Sequence, residues 1–136
     1  MFDFKGKVTL ITGASYGLGE EFAYAFAEVG SDLILTARSE DLLARVAEKC
    51  RDKGSKVTAV TGDVSVEADV LKVVNQGIAE HGRVDVLINN AGIAGPSVKL
   101  EDIDTKEWEE TIKINLCIRT SNLINTLPMQ SFIECI

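Results

Sequence analysis

Acid–base side chains and positive charge are both scarce in this chain. It carries one histidine, two tyrosines and three cysteines in 136 residues, and its 14 lysines and arginines face 21 aspartates and glutamates. A net charge of −7 with no basic cluster argues against a surface that follows a phosphate backbone, so nucleic acid is not an expected partner. Cys50, Cys117 and Cys135 are odd in number, far apart and without a Cys-x-x-Cys pair, which suggests neither a disulfide framework nor a zinc site, and no metal is expected. Free thiols fit a reducing compartment. Apolar runs do not exceed strand length and the opening MFDFKGK is charged at once, so a signal peptide and a membrane span are not expected either. A cytoplasmic protein is the expectation. Gly-Lys-Ser/Thr is missing too, which excludes a P-loop.

What is present is a 46% apolar content, enough to bury a core in one domain spanning residues 1–136. KVTLIT (7–12) reads as a buried strand stopped by Gly13. Residues 17–29 repeat Phe22, Ala23, Phe26 and Ala27 at helical spacing and stop at Gly30. DLILTA (32–37) is a second strand, and Ser39 opens a helix with Leu42, Leu43, Val46 and Cys50 on one face. A third strand at 56–61 leads to a helix capped by Ser65 and carrying Val70, Val73, Val74 and Ile78, and a fourth strand follows at 84–88. The alternation predicts an α/β class, a doubly wound parallel sheet of Rossmann type. From Asp104 a long helix is expected, with Trp108 packed inside, until Pro128. The tail MQSFIECI is too short for another βα unit, so a sheet truncated after the fourth strand is expected.

Between the first strand and helix lies Thr12-Gly13-x-x-x-Gly17-x-Gly19. Glycines at a strand-to-helix turn let backbone approach a ligand, and the helix start offers unpaired N–H groups and positive partial charge, a fit for pyrophosphate. GDVS (62–65) follows the third strand, INNAG (88–92) ends the fourth, and Asn115 stands in the long helix. In these four features and their order the chain resembles the short-chain dehydrogenase/reductase family. The resemblance implies binding of a nicotinamide dinucleotide: Gly13, Gly17 and Gly19 around the pyrophosphate with Ser15, Tyr16 and Leu18 adding contacts, Asp63 and Val64 at the adenine, and Asn89, Ala91 and Gly92 along the ribose next to the nicotinamide. Thr12 is expected to brace the turn. Asp63, Asn89 and Asn90 also suit ordinary turns, where their side chains bond nearby backbone.

The end of the second strand bears on which cofactor is held. A carboxylate there accepts from the ribose hydroxyls of NAD, whereas an arginine pairs with the extra phosphate of NADP. This chain has Ala37, then Arg38 and Ser39, so NADP is expected over NAD.

Hydride transfer also needs a proton donor and acceptor beside the carbonyl. The family places a tyrosine there in Tyr-x-x-x-Lys, with a serine and with an asparagine that holds a relay water. Asn115 matches the asparagine, but Tyr16 and Tyr24 are followed four residues on by Glu20 and Glu28. The resemblance therefore implies an NAD(P)-dependent oxidoreductase acting on an alcohol or ketone, present as a cofactor-binding portion not expected to be active alone. The alternative is a non-catalytic NADP-binding or interaction module, forming a homo-oligomer or joining a longer homologue through the helix around Trp108 to Leu123. His81 is expected to be a solvated surface residue.

Overall fold

The computed structural model describes residues 3–94, 97–117 and 134–135. Strands β1 (Val8–Thr12), β2 (Asp32–Ala37), β3 (Val57–Thr61) and β4 (Val86–Ile88) alternate with helices α1 (Gly17–Glu28), α2 (Glu40–Asp52) and α3 (Glu67–His81). After β4 come a 3₁₀ turn at Leu100–Asp102, helix α4 (Thr105–Ile112), a π-helical turn at Lys113–Cys117 and a two-residue strand, β5 (Glu134–Cys135). The strands pair in parallel in the order β3-β2-β1-β4-β5.

Both faces of the sheet are buried, which is why its strands read as continuous apolar runs. Ile11, Leu33 and Leu35 point to the face covered by Ala23 and Ala27 of α1 and Leu43 and Val46 of α2. Leu10 and Ile34 point to the opposite face, against Val70, Val73 and Val74 of α3. Each fully buried leucine or isoleucine contributes about 1.5–3 kcal/mol relative to exposure. At the sheet's lower edge, Asp85 Oδ2 accepts from Val8 N at 2.9 Å and Asp32 Oδ1 accepts from Lys56 N at 2.9 Å, so two carboxylates align the strand starts. Burial pushes the Asp85 carboxyl up, but hydrogen bonds from Arg83 and Val8 and the charges of Arg83 and Lys7 outweigh it and hold the group below its usual range.

Several local expectations are corrected. The N-cap of α3 is Val66 rather than Ser65, whose hydroxyl and N–H both turn back to the Asp63 carboxylate, the N–H at 2.8 Å. Ser39 does precede α2, yet its hydroxyl makes no capping bond, and Leu42 on the expected buried face is 37% exposed beside a cleft. Trp108 is 49% exposed rather than packed, since α4 is only eight residues long and turns Thr111 inward instead. The edge of β4 that the sequence leaves bare is paired by β5, at Val86 with Glu134 and Leu87 with Cys135. The expected course of the long helix from Ile118 through Leu123 to Pro128 lies outside the described residues.

Sheet order reverses at β1: β2 lies on one side of it and β4 on the other, reached by the long crossover through α3. At such a switch point the loops leaving the strand ends diverge and open a crevice.

Candidate nucleotide-binding site

The crevice is built from four strand ends. At β1 the three turn glycines act for three different reasons. Gly13 has φ +64°, and a Cβ there would lie 2.8 Å from Ala91 Cα. Gly17 has φ +60° with nothing near it, so backbone conformation alone favours glycine. Gly19 has ordinary φ, but a Cβ would stand 2.1 Å from the Gly13 carbonyl oxygen, so α1 rests directly on the turn. Tyr16, the N-cap of α1, makes no side-chain cap bond, which keeps the first N–H groups of the helix available to another acceptor.

The turn is tied across to β4. Thr12 Oγ1 accepts from Asn90 N at 3.1 Å and Ala91 N at 3.0 Å, and donates to Ile88 O at 3.4 Å. Asn90 Nδ2 donates to Thr12 O at 3.2 Å and Gly13 O at 3.1 Å. Thr12 thus braces the turn, and Asn90, weighed from sequence only as a loop cap, is its partner.

At the end of β2, Ala37 is buried and Arg38 and Ser39 face the crevice. Arg38 forms no ion pair with Glu40 or Asp41 within 4 Å. Beyond β3, Gly62 N donates to Ala37 O at 3.0 Å and Asp63 N to Asp69 Oδ2 at 2.8 Å. Asp63 makes the turn expected of its residue type and lines the crevice as well. Burial pushes its carboxyl up, but hydrogen bonds from Ser65 and then the charges of Arg38 and Lys113 prevail and hold it below its ordinary value, so it is an anion at neutral pH.

Ser15, Tyr16, Arg38, Ser39, Asp63 and Val64 line the crevice with Gly13, Ala91 and Gly92, and Ile93 and Ile114 complete its wall. Of the residues singled out from sequence, Gly17 and Gly19 shape the turn without lining it, Leu18 stands 70% exposed at the start of α1, and Asn89 sits at the end of β4. Asn115 lies behind the wall with its amide on the Ile93 backbone. Asp69, Ile93 and Ile114 escaped the sequence reading, because nothing local marks an acidic helix residue or a loop isoleucine as part of a site.

Tyr24 is held on the α1–α2 surface, its hydroxyl donating to Glu20 Oε1 at 2.7 Å. Burial, then the bond and charge of Glu20, push its phenol far above the usual range. Cys50 is buried, and its thiol is pushed up to about 11 by that burial, against the lowering charges of Lys53 and Arg51. His81 is corrected: it is half-buried, with Nε2 2.9 Å from Thr58 Oγ1, because the last turn of α3 folds onto β3. Among the described residues no cluster of three His, Cys, Asp or Glu could hold a metal, and no helix is long and apolar enough to cross a membrane.

A parallel sheet with its crevice at the β1/β4 switch point and a glycine turn opening a helix defines a Rossmann-type nucleotide-binding fold. The chain belongs to the short-chain dehydrogenase family, whose profile matches residues 7–124. It is 48% identical over 114 residues to 11-beta-hydroxysteroid dehydrogenase A of Sesamum indicum, covering 83% of this chain and 33% of that protein. It is 39% identical over 129 residues to a CLA biosynthesis dehydrogenase/reductase of Lactiplantibacillus plantarum, covering 95% and 45%. The chain therefore spans less than half the length of these relatives. Among solved structures, a metagenomic short-chain oxidoreductase in complex with NADP superposes with TM-score 0.83 at 30% identity, over 91% of this chain and 56% of that one. A Burkholderia phymatum short-chain dehydrogenase/reductase in complex with NAD gives TM-score 0.83 at 34% identity, over 92% and 44%.

Proposed function

We propose that this chain is the cofactor-holding part of an NADP-dependent oxidoreductase that interconverts an alcohol and a ketone. The observation that carries the reading is the meeting of the glycine turn, Arg38 and Asp63 around one crevice. The donor set fits a dinucleotide: close backbone at Gly13 and N–H groups at the start of α1 for the pyrophosphate, with Ser15, Tyr16 and Leu18 beside them, and Asp63 and Val64 for the adenine. Arg38 and Ser39, with no carboxylate at the end of β2, favour the 2′-phosphate of NADP. Asn89, Ala91 and Gly92 are assigned to the nicotinamide side, and the relay role that the family resemblance gives Asn115 falls to its backbone, because its side-chain amide is engaged by Ile93. When bound, the nicotinamide supplies the hydride acceptor or donor.

The chain's own residues bind and orient in this reading. Neither tyrosine is placed for proton transfer: Tyr24 is engaged by Glu20 and Tyr16 belongs to the turn, so the acid–base pair comes from outside these 136 residues. The exposed Trp108 favours association through α4, with a second copy or a longer relative, as the route to a complete site. Three cysteines, odd in number and without a Cys-x-x-Cys pair, favour a reducing, cytoplasmic compartment. The test is calorimetric titration with NADPH and NADH, repeated on Arg38→Asp. NADPH should bind more tightly to the parent chain and lose that advantage in the variant. Equal loss of both cofactors would sink the NADP preference, and no binding by a folded chain would sink the reading itself.

A further inference from the structure

The loop after β3 lies at the end of the crevice where the adenine would sit. Its backbone is fixed from two sides. Gly62 N donates to Ala37 O at 3.0 Å, anchoring the loop to the end of β2. From the other side, Asp69 in the first turn of α3 reaches back six residues, and its Oδ2 accepts from Asp63 N at 2.8 Å. The approach is close: a Cβ at Gly62 would stand 3.1 Å from Asp69 Cβ. Between these anchors Asp63 O accepts from Val66 N at 2.9 Å and Asp63 Oδ1 from Ser65 N at 2.8 Å, so the rotamer of Asp63 is set by backbone that Asp69 holds.

Asp69 is not acting as a helix cap. The N-cap of α3 is Val66, and the N–H that Asp69 engages lies three residues before it, outside the helix. A carboxylate accepting from backbone N–H is a charge-assisted bond, about twice as strong as a neutral one, and it serves the loop.

We propose that Asp69 is a positioning residue for nucleotide recognition, locking the 62–65 loop in the shape that turns the Asp63 carboxylate into the crevice toward an exocyclic amine of the base. The proposal rests on the crevice being a dinucleotide site. It predicts that Asp69 governs base discrimination without touching the base. Adenine offers an amine to a carboxylate, whereas hypoxanthine at the same place offers a carbonyl and is repelled.

The experiment titrates the chain with NADPH and with its hypoxanthine analogue. The parent chain should prefer NADPH about tenfold. Asp69→Ala should weaken NADPH about tenfold, leave the analogue within about twofold and so erase the preference. Asp69→Asn keeps an acceptor of lower strength and should weaken NADPH only about threefold with the preference retained. General loosening would lower both ligands together, and that result would overturn the proposal. Should Asp69→Ala fail to fold, Asp69→Asn decides alone: affinities equal to the parent chain for both ligands would overturn it. A parent chain that binds NADPH without preferring it to the analogue refutes the Asp69 role and leaves the dinucleotide site standing. A parent chain that binds neither refutes both.

Discussion

Asn115 grips both backbone atoms of Ile93: its Oδ1 accepts from Ile93 N at 3.0 Å and its Nδ2 donates to Ile93 O at 2.9 Å. The pair joins the π-helical turn at Lys113–Cys117 to the loop beyond β4, and Ile93 is part of the crevice wall. A π turn opens the regular helical ladder by one residue, a feature found disproportionately at functional sites. Here it brings an asparagine within reach of a loop 22 residues away.

That geometry makes the amide, rather than its size, the operative feature. Asn115→Asp keeps the shape but replaces the donor with an oxygen facing the Ile93 carbonyl. We expect a loss of about 1–3 kcal/mol in chemical denaturation at neutral pH, with weaker NADPH binding. Partial recovery is expected at acid pH, where the protonated carboxyl donates again. Stability and NADPH affinity equal to the parent chain would show that the clamp is dispensable.

The turn glycines separate by mechanism. At position 19 a methyl group collides with the Gly13 carbonyl oxygen, which is backbone and cannot swing away, so Gly19→Ala should cost about 1–3 kcal/mol and distort the turn enough to lose NADPH. At position 17 the methyl group meets nothing, and only the left-handed backbone is penalised, by about 1–2 kcal/mol. Thermal melts paired with cofactor titrations should show stability lost in both variants and binding lost chiefly in Gly19→Ala. Full binding in Gly19→Ala would detach the turn from the site.

His81 gives a pH dependence with a definite sign. Thr58 has one hydroxyl hydrogen, donated to Glu80 Oε2 at 2.9 Å, so His81 Nε2 is the donor across its own 2.9 Å contact with Thr58. Nδ1 is buried without an acceptor among the described residues, and a second proton there has nowhere to bond. Burial and then the charge of Lys56 lower the imidazole's pKa, against the opposing pull of Asp32 and Glu80. The fold thus favours the neutral ring. Its contribution is complete above the unfolded value of about 6.5 and is lost as pH falls from there through the lower folded value. The low-lying carboxyls of Asp63 and Asp85 lose theirs only below about pH 4, so the two windows are distinct. Denaturant midpoints should fall as pH drops below about 6.5, and His81→Gln should flatten that slope. An unchanged slope in the variant would assign it to other groups.

Much of this molecule was legible locally. Leu10 and Ile11, adjacent in sequence, face opposite layers of the core, and a run of such residues between glycines reads as a strand buried on both faces. The glycine spacing, INNAG and the Ala37-Arg38 strand end were equally visible, since they concern residues close together in sequence. The two misses differ in kind: Ser65 is taken up by a turn with Asp63, two residues before it, rather than capping α3, whereas His81 meets Thr58, 23 residues away, rather than solvent.

The sequence by itself determined the alternation of strands and helices, because the period of burial is written residue by residue along the chain. Tertiary structure alone decided that Thr12 holds Asn90 and Ala91 across 78 and 79 residues, and that Asn115 holds Ile93 across 22. A polar side chain announces that it will bond but not to what. Its partner is chosen by which loops the parallel crossovers bring to the same end of the sheet.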